Sequence, residues 1–124
     1  MSGGKLEDVA DVDIDHGRFK YILIKIYENS SPTGEEKSKY IVRGYSWAAY
    51  HADIYEKVDE KLKETGIDAE CVGGGRILHD LDKKCLSVYG YSTGYGKADH
   101  AITTEILKKK YPDYVNISWS NEGY

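Results

Sequence analysis

Residues 19–27, Phe19-Lys20-Tyr21-Ile22-Leu23-Ile24-Lys25-Ile26-Tyr27, are the clearest strand in the chain. Both alternating sets are apolar, and the lysines stand near the ends. A strand with one solvated face would alternate apolar and polar, so this pattern predicts a central strand buried on both sides. Glu28 to Lys37 carries Asn, Ser, Pro and Gly, the composition of a loop. Tyr40-Ile41-Val42-Arg43 follows as a second strand, antiparallel to the first.

Downstream, Ile54, Val58 and Leu62 recur at helical spacing, and Gly66 ends the run. Asp53 with Glu56 three residues on reads as a capping box, which makes Asp53 the expected N-cap, with Ser46 as the rival start. Under either choice His51 lies at or just before the helix N-terminus. Ala69 to Val72 reads as a short strand. Gly73-Gly74-Gly75 reads as a turn or bulge leading to Arg76-Ile77-Leu78, and Cys85 to Tyr91 as another strand. A second helix is expected from about Lys97 to Lys110, with Ala98, Ala101, Ile102, Ile106 and Leu107 inward and Pro112 as its stop. In Tyr114 to Trp119, alternation predicts a last strand with one buried face. The order β-β-α-β-β-β-α-β gives an α/β fold: a mixed sheet of about six strands flanked by two helices. The first ten or so residues are polar and expected to be loose.

The chain has 124 residues, the size of one domain spanning 1–124. Apolar residues make up 40%, too many for a disordered chain. Aromatics are dominated by 12 Tyr, which implies a core laced with hydroxyls that need partners. A net charge of −4 argues against a nucleic-acid platform. Lys108-Lys109-Lys110 suits a helix C-terminus. Cys71 and Cys85 have no metal-ligand or Cys-x-x-Cys spacing, so a reducing compartment is expected. With no signal-like apolar run and no membrane-length stretch, the expectation is a cytoplasmic protein without a membrane partner, and a monomer.

Two loops lead from a strand's carboxyl end into a helix: Gly44 to Ala52, and Ser92 to Gly96. Ligands of α/β sheets gather outside the carboxyl ends of strands. If the two strands point the same way, the loops meet and His51 faces Ser92. Ser92-Thr93-Gly94-Tyr95-Gly96 has the make-up of an anion cradle: glycines let successive N–H groups converge, Ser92 and Thr93 add hydroxyls, and the following helix adds its positive end. The same composition serves an ordinary strand-to-helix turn. His51 titrates in the right range for proton transfer, and a nearby helix N-terminus favours its neutral form. A histidine near a helix start is more often a cap or a packing residue than a catalyst.

His16 sits in a polar turn, His79 beside Asp80 on an expected loop, and His100 inside a helix with Asp99. His79, Asp80 and Asp82 do not make a metal site by spacing alone, so none is expected. Several phosphatase signatures fail. Cys71 and Arg76 stand one residue too close for the loop that a cysteine phosphatase wraps around phosphate. Asp11-Val12-Asp13-Ile14-Asp15 approaches the aspartyl-phosphate motif but lacks its β-branched fifth residue and a preceding apolar strand. Arg-His-Gly is absent, and Gly73-Gly74-Gly75-Arg76 lacks the Lys-Ser/Thr of a nucleotide P-loop.

Laid out in order, the chain resembles the protein phosphohistidine phosphatase family, which includes the Janus and Ocnus proteins of insects. The likeness runs from about Asp11 to Tyr124. It is carried by Asp11-Val12-Asp13-Ile14-Asp15, Phe19-Lys20-Tyr21, Ile41-Val42-Arg43-Gly44-Tyr45, Tyr50-His51-Ala52-Asp53-Ile54-Tyr55, Cys71-Val72-Gly73-Gly74-Gly75-Arg76-Ile77, Val88-Tyr89-Gly90-Tyr91-Ser92, Lys110-Tyr111-Pro112-Asp113-Tyr114 and Asn121-Glu122-Gly123-Tyr124. The resemblance implies a protein phosphatase acting on phosphohistidine in proteins, independent of metal and cofactor. It implies His51 as the catalytic residue, as general base or, in a variant, as phosphoryl acceptor. It further implies Lys20, Ser92, Thr93 and Gly94 as substrate-binding residues, with Arg43 and Arg76 as basic positions near the site. Better-known vertebrate members carry bulkier or different residues where Thr93 and Gly94 stand. A loop that binds through backbone N–H groups would tolerate that change.

Overall fold

The computed structural model describes residues 6–28 and 37–120. The polar start at residues 1–5, most of the loop expected over residues 28–37, and the 121–124 motif lie outside the described residues.

A 3-10 turn at Leu6–Asp8 is followed by β1 (Val12–Ile14), β2 (Gly17–Glu28), β3 (Lys37–Tyr45), α1 (His51–Glu64), β4 (Ile67–Asp80), β5 (Cys85–Tyr89), α2 (His100–Lys110) and β6 (Asn116–Trp119). The six strands form one mixed sheet in the order β1-β3-β2-β4-β5-β6. β2 is antiparallel to both β3 and β4, β4 is antiparallel to β5, and the outer pairs β1–β3 and β5–β6 are parallel. This is the expected α/β architecture, with the 19–27 stretch inside the sheet.

Its doubly apolar pattern has a direct structural meaning. Ile22, Ile24 and Ile26 pack with Ile41, Ile54, Val58, Leu62 and Ile67 under α1. Phe19, Tyr21 and Leu23 pack with Val42, Ile77, Leu86, Val88 and Leu107 under α2. Successive side chains of a strand point to opposite faces, so one strand serves two cores.

Six strands were expected and six are present, but they are not the same six. The short strand at 69–72 and the run at 76–78 are one continuous β4. The register steps from Leu23 opposite Gly73 to Ile24 opposite Cys71, which makes Val72 an inserted bulge residue. Val12–Ile14 supplies the sixth strand. The N-terminal segment is not loose from residue 6 onward. Lys39 bonds Val9 O and Asp11, Arg43 bonds Ala10 O, and Tyr45 OH bonds Asp13.

Both helix starts differ from expectation. Asp53 is not the N-cap of α1. Tyr50 is, and Asp53 stands at the third helical position, its Oδ2 accepting from Tyr50 N–H at 2.9 Å. α2 begins at His100 rather than Lys97, because Asp99 caps it by accepting from Ala101 and Ile102 N–H. Its inward face carries His100, Thr103, Thr104 and Leu107, whereas Ala101 is exposed. β6 covers 116–119 rather than 114–119, and Val115 and Trp119 are exposed rather than buried.

Candidate active site

β3 and β5 run in opposite directions, so the condition under which the two loops were expected to meet does not hold. They meet nonetheless, because β5 is short. Tyr45, the end of β3, pairs with Lys20, Lys20 pairs with Arg76, and Arg76 pairs with Tyr89, the end of β5. The two strands approach this cross-strand row from opposite sides and stop at it. Past Tyr89, the turn at 92–96 takes the place of β5 beside β4, with Gly74 N–H bonding Gly96 O and Ala98 N–H bonding Gly74 O.

The result is a cleft of about 750 Å³ lined by Lys20, Ala49, Tyr50, His51, Ala52, Ser92, Thr93, Gly94 and Tyr95. His51 is the first residue of α1 and only 6% exposed. Its Nε2 lies 2.9 Å from Gly75 O. A carbonyl oxygen can only accept, so Nε2 carries the proton and Nδ1 is left with its lone pair. Burial is the largest influence on the ring and lowers its pKa from the ordinary 6.5. The bond to Gly75 raises it, and the charges of Lys20 and Arg76 lower it further. His51 is therefore a neutral imidazole at physiological pH.

The three consecutive glycines of β4 are a steric requirement of this arrangement. A Cβ on Gly74 would stand 2.8 Å from Cδ2 of His51 and 3.1 Å from Cβ of Ser92. A Cβ on Gly75 would strike Tyr89 O and Cε1 of His100 on the opposite face, and one on Gly73 would strike the Ala98 backbone. Both helix starts reach the sheet only because these side chains are missing.

The turn at 92–96 is closed by Ser92 N–H to Gly96 O, Gly96 N–H to Ser92 O and Tyr95 N–H to Ser92 Oγ. Ser92 is buried and mainly holds the turn. Thr93 and Gly94 line the cleft, and among the described residues their amides donate to no backbone carbonyl. The α2 terminus does not contribute as expected: Asp99 occupies it, and α2 packs on the other face of the sheet. The positive helix end at the cleft belongs to α1, through His51 and Ala52.

Lys20 lines the cleft, and Arg76 stands directly opposite Lys20 on β4 and acts electrostatically on His51. Arg43 is not brought there. It is buried, donates to Val42 O and Ala10 O, and lines a separate cavity behind α1 with Asp13, Tyr45 and Lys61. Tyr50 and Tyr95 line the cleft without having been singled out. Their place beside His51 and inside the glycine turn was the available signal.

The other described histidines with ring contacts are structural in their bonding. His79 lies on a strand, not a loop. Its Nδ1 is 2.8 Å from Asp15 O and its Nε2 is 2.6 Å from Tyr114 OH. His100 bonds Gly90 O and Tyr21 OH. Among the described residues, no three His, Cys, Asp or Glu side chains are grouped to hold a metal ion, and no helix is long and apolar enough to cross a membrane.

Residues 6–115 match the Janus/Ocnus family model. The chain is 54% identical over 121 residues to a 14 kDa phosphohistidine phosphatase of Sus scrofa, covering 96% of this chain and 95% of that protein. It is 52% identical to the protein of the same name in Homo sapiens, over the full length of both chains. It is also 52% identical to the sex-regulated protein janus-A of Drosophila pseudoobscura pseudoobscura, over all of this chain and 83% of that one. Matched along nearly its whole length by both the family model and these relatives, the chain belongs to the Janus/Ocnus family.

Proposed function

We propose that this protein is a phosphatase that hydrolyses the N–P bond of phosphohistidine in proteins, with His51 as general base and no metal in the mechanism. The observation that carries the reading is the His51–Gly75 bond. It fixes the tautomer that leaves Nδ1 as the basic atom of a ring kept neutral by burial, beside a cleft that Lys20 and the Thr93–Gly94 turn also line. The names of the porcine and human relatives support the substrate class.

Lys20 and the Thr93 and Gly94 amides hold the phosphoryl oxygens, while the Ser92 hydroxyl braces the turn that presents those amides. The α1 terminus and Arg76 add positive potential where negative charge collects. Phosphoryl transfer needs mainly positioning and charge stabilisation, which this arrangement supplies. His51 Nδ1 accepts a proton from the attacking water, the new P–O bond forms as the P–N bond breaks, and the substrate imidazole leaves with a proton from solvent.

The test compares wild type with His51→Ala on a phosphohistidine protein in the presence of a chelator. The expected result is chelator-resistant turnover in wild type and a loss of at least about a hundredfold in the variant. Full activity in His51→Ala would overturn the assignment, and chelator-sensitive wild type would overturn metal independence. Rapid-quench labelling distinguishes the alternative route: acid-labile, base-stable phosphate on His51 would make it the phosphoryl acceptor. Cytoplasmic location and a monomeric state complete the proposal, and fractionation and sedimentation check them.

A further inference from the structure

We propose that Trp47 is a docking ledge for the polypeptide flanking the phosphohistidine of a substrate protein; this rests on the activity proposed above. Trp47 and Tyr50 are 54% and 71% exposed, and both stand within four residues of His51. Exposed aromatics this close to a buried reactive side chain need a reason. In the loop that leads into α1, Ala48 and His51 turn inward, while Trp47 and Tyr50 turn outward.

Trp47 is also held in place. Its ring stacks on Tyr45 at 5.3 Å between centroids and 11° between planes. Tyr45 OH donates to Asp13 at 2.8 Å. Lys57 Nζ lies 5.9 Å from the Trp47 ring centre. Just before Trp47, the Ser46 N–H and hydroxyl both donate to Asp15, at 2.8 and 3.1 Å. An exposed indole that is already fixed loses little rotamer freedom when a partner covers it, and a large rigid aromatic is what dominates recognition surfaces.

The occupant follows from continuity with the cleft. Tyr45, under Trp47, is the direct cross-strand partner of Lys20, and the loop continues through Ala49 and Tyr50 into the cleft wall. A phosphohistidine in the cleft brings its own main chain to this rim. Residues on one side of it then lie against the indole. A small phosphoramidate has no flanking chain to reach the ledge.

The experiment measures kcat and KM of wild type, Trp47→Ala and Trp47→Phe on phosphoramidate and on a phosphohistidine peptide with flanking residues on both sides. In Trp47→Ala, KM for the peptide should rise on the order of tenfold at constant kcat, with phosphoramidate kinetics unchanged. Trp47→Phe, which keeps a ring over Tyr45, should recover most of the loss. Equal loss on both substrates, or an unchanged peptide KM, overturns the ledge while leaving the activity standing. A concentration-dependent dimer of wild type that Trp47→Ala dissolves, with peptide KM unchanged, would give the ledge to a second copy of the chain and also overturn it. Wild type that hydrolyses neither substrate defeats the activity reading itself.

Discussion

At His51 the neighbour of Nε2 is a carbonyl oxygen, and this one contact decides where the ring proton sits. The lone pair on Nδ1 exists only while the ring is neutral. Burial, then the charges of Lys20 and Arg76, hold the pKa below 6.5 against the opposing pull of the Gly75 bond. The acid limb of the kcat/KM profile should therefore lie below pH 6.5, and a midpoint at or above that value would count against His51 as base. Lys20→Met removes a charge that disfavours the protonated ring, so the acid limb should move to higher pH while KM rises. A pH profile of the variant checks both. Gly74→Ala should lose activity beyond its loss of stability, since its Cβ would press on the His51 ring at 2.8 Å. Overpacking of this kind costs about 1–3 kcal/mol, measurable by urea unfolding beside turnover.

Among the elements, α1 carries the burden of placing His51, and its start depends on one carboxylate reaching back to Tyr50 N–H. Asp53→Ala should cost about 0.5–2 kcal/mol of stability and should lower kcat as well, because the frayed residue is the proposed base. Asp99→Ala removes the equivalent brace from α2 and should cost similar stability with a smaller effect on kcat, since α2 lies on the far face. Thermal unfolding and steady-state kinetics on the pair separate cap from site. Asp53 was legible as a capping residue, but its position was not. An acidic residue three places before a Glu fits the first position of a capping box, and sequence spacing does not exclude the third. Similarly, a glycine triplet ordinarily breaks a strand. Here it continues one, because two helix starts approach it from opposite faces, a fact about the helices rather than the strand.

For the whole molecule, pH stability follows from two of the three buried histidines, His51 and His100. Burial is the first cause of the lowered pKa at both His51 and His100. The unfolded chain binds protons near pH 6.5 that the folded chain refuses. Their contribution is thus complete above that pH and is lost as pH falls through the folded values. Urea midpoints measured from pH 7.5 downward should be level at first and then decline below about 6.5. Arg43 belongs to this scale too. It ties the N-terminal segment to β3 through Ala10 O, so Arg43→Met should lower stability by about 1–3 kcal/mol with little change in KM.

What the sequence by itself determined was the part written in local pattern: the doubly buried strand at 19–27, the helix that begins beside His51, the glycine turn after Ser92, and the motifs that mark the family. Periodicity and punctuation report on neighbours along the chain, and these features depend on such neighbours. The tertiary structure decided that β3 and β5 stop at one cross-strand row although they run in opposite directions. It also decided that the positive helix end at the cleft is that of α1, and that Arg43 serves the N-terminal segment while Lys20 and Arg76 serve His51. Each of these depends on strand register and on which face a helix covers. Those are set by contacts between residues far apart in sequence, where the local pattern carries no information.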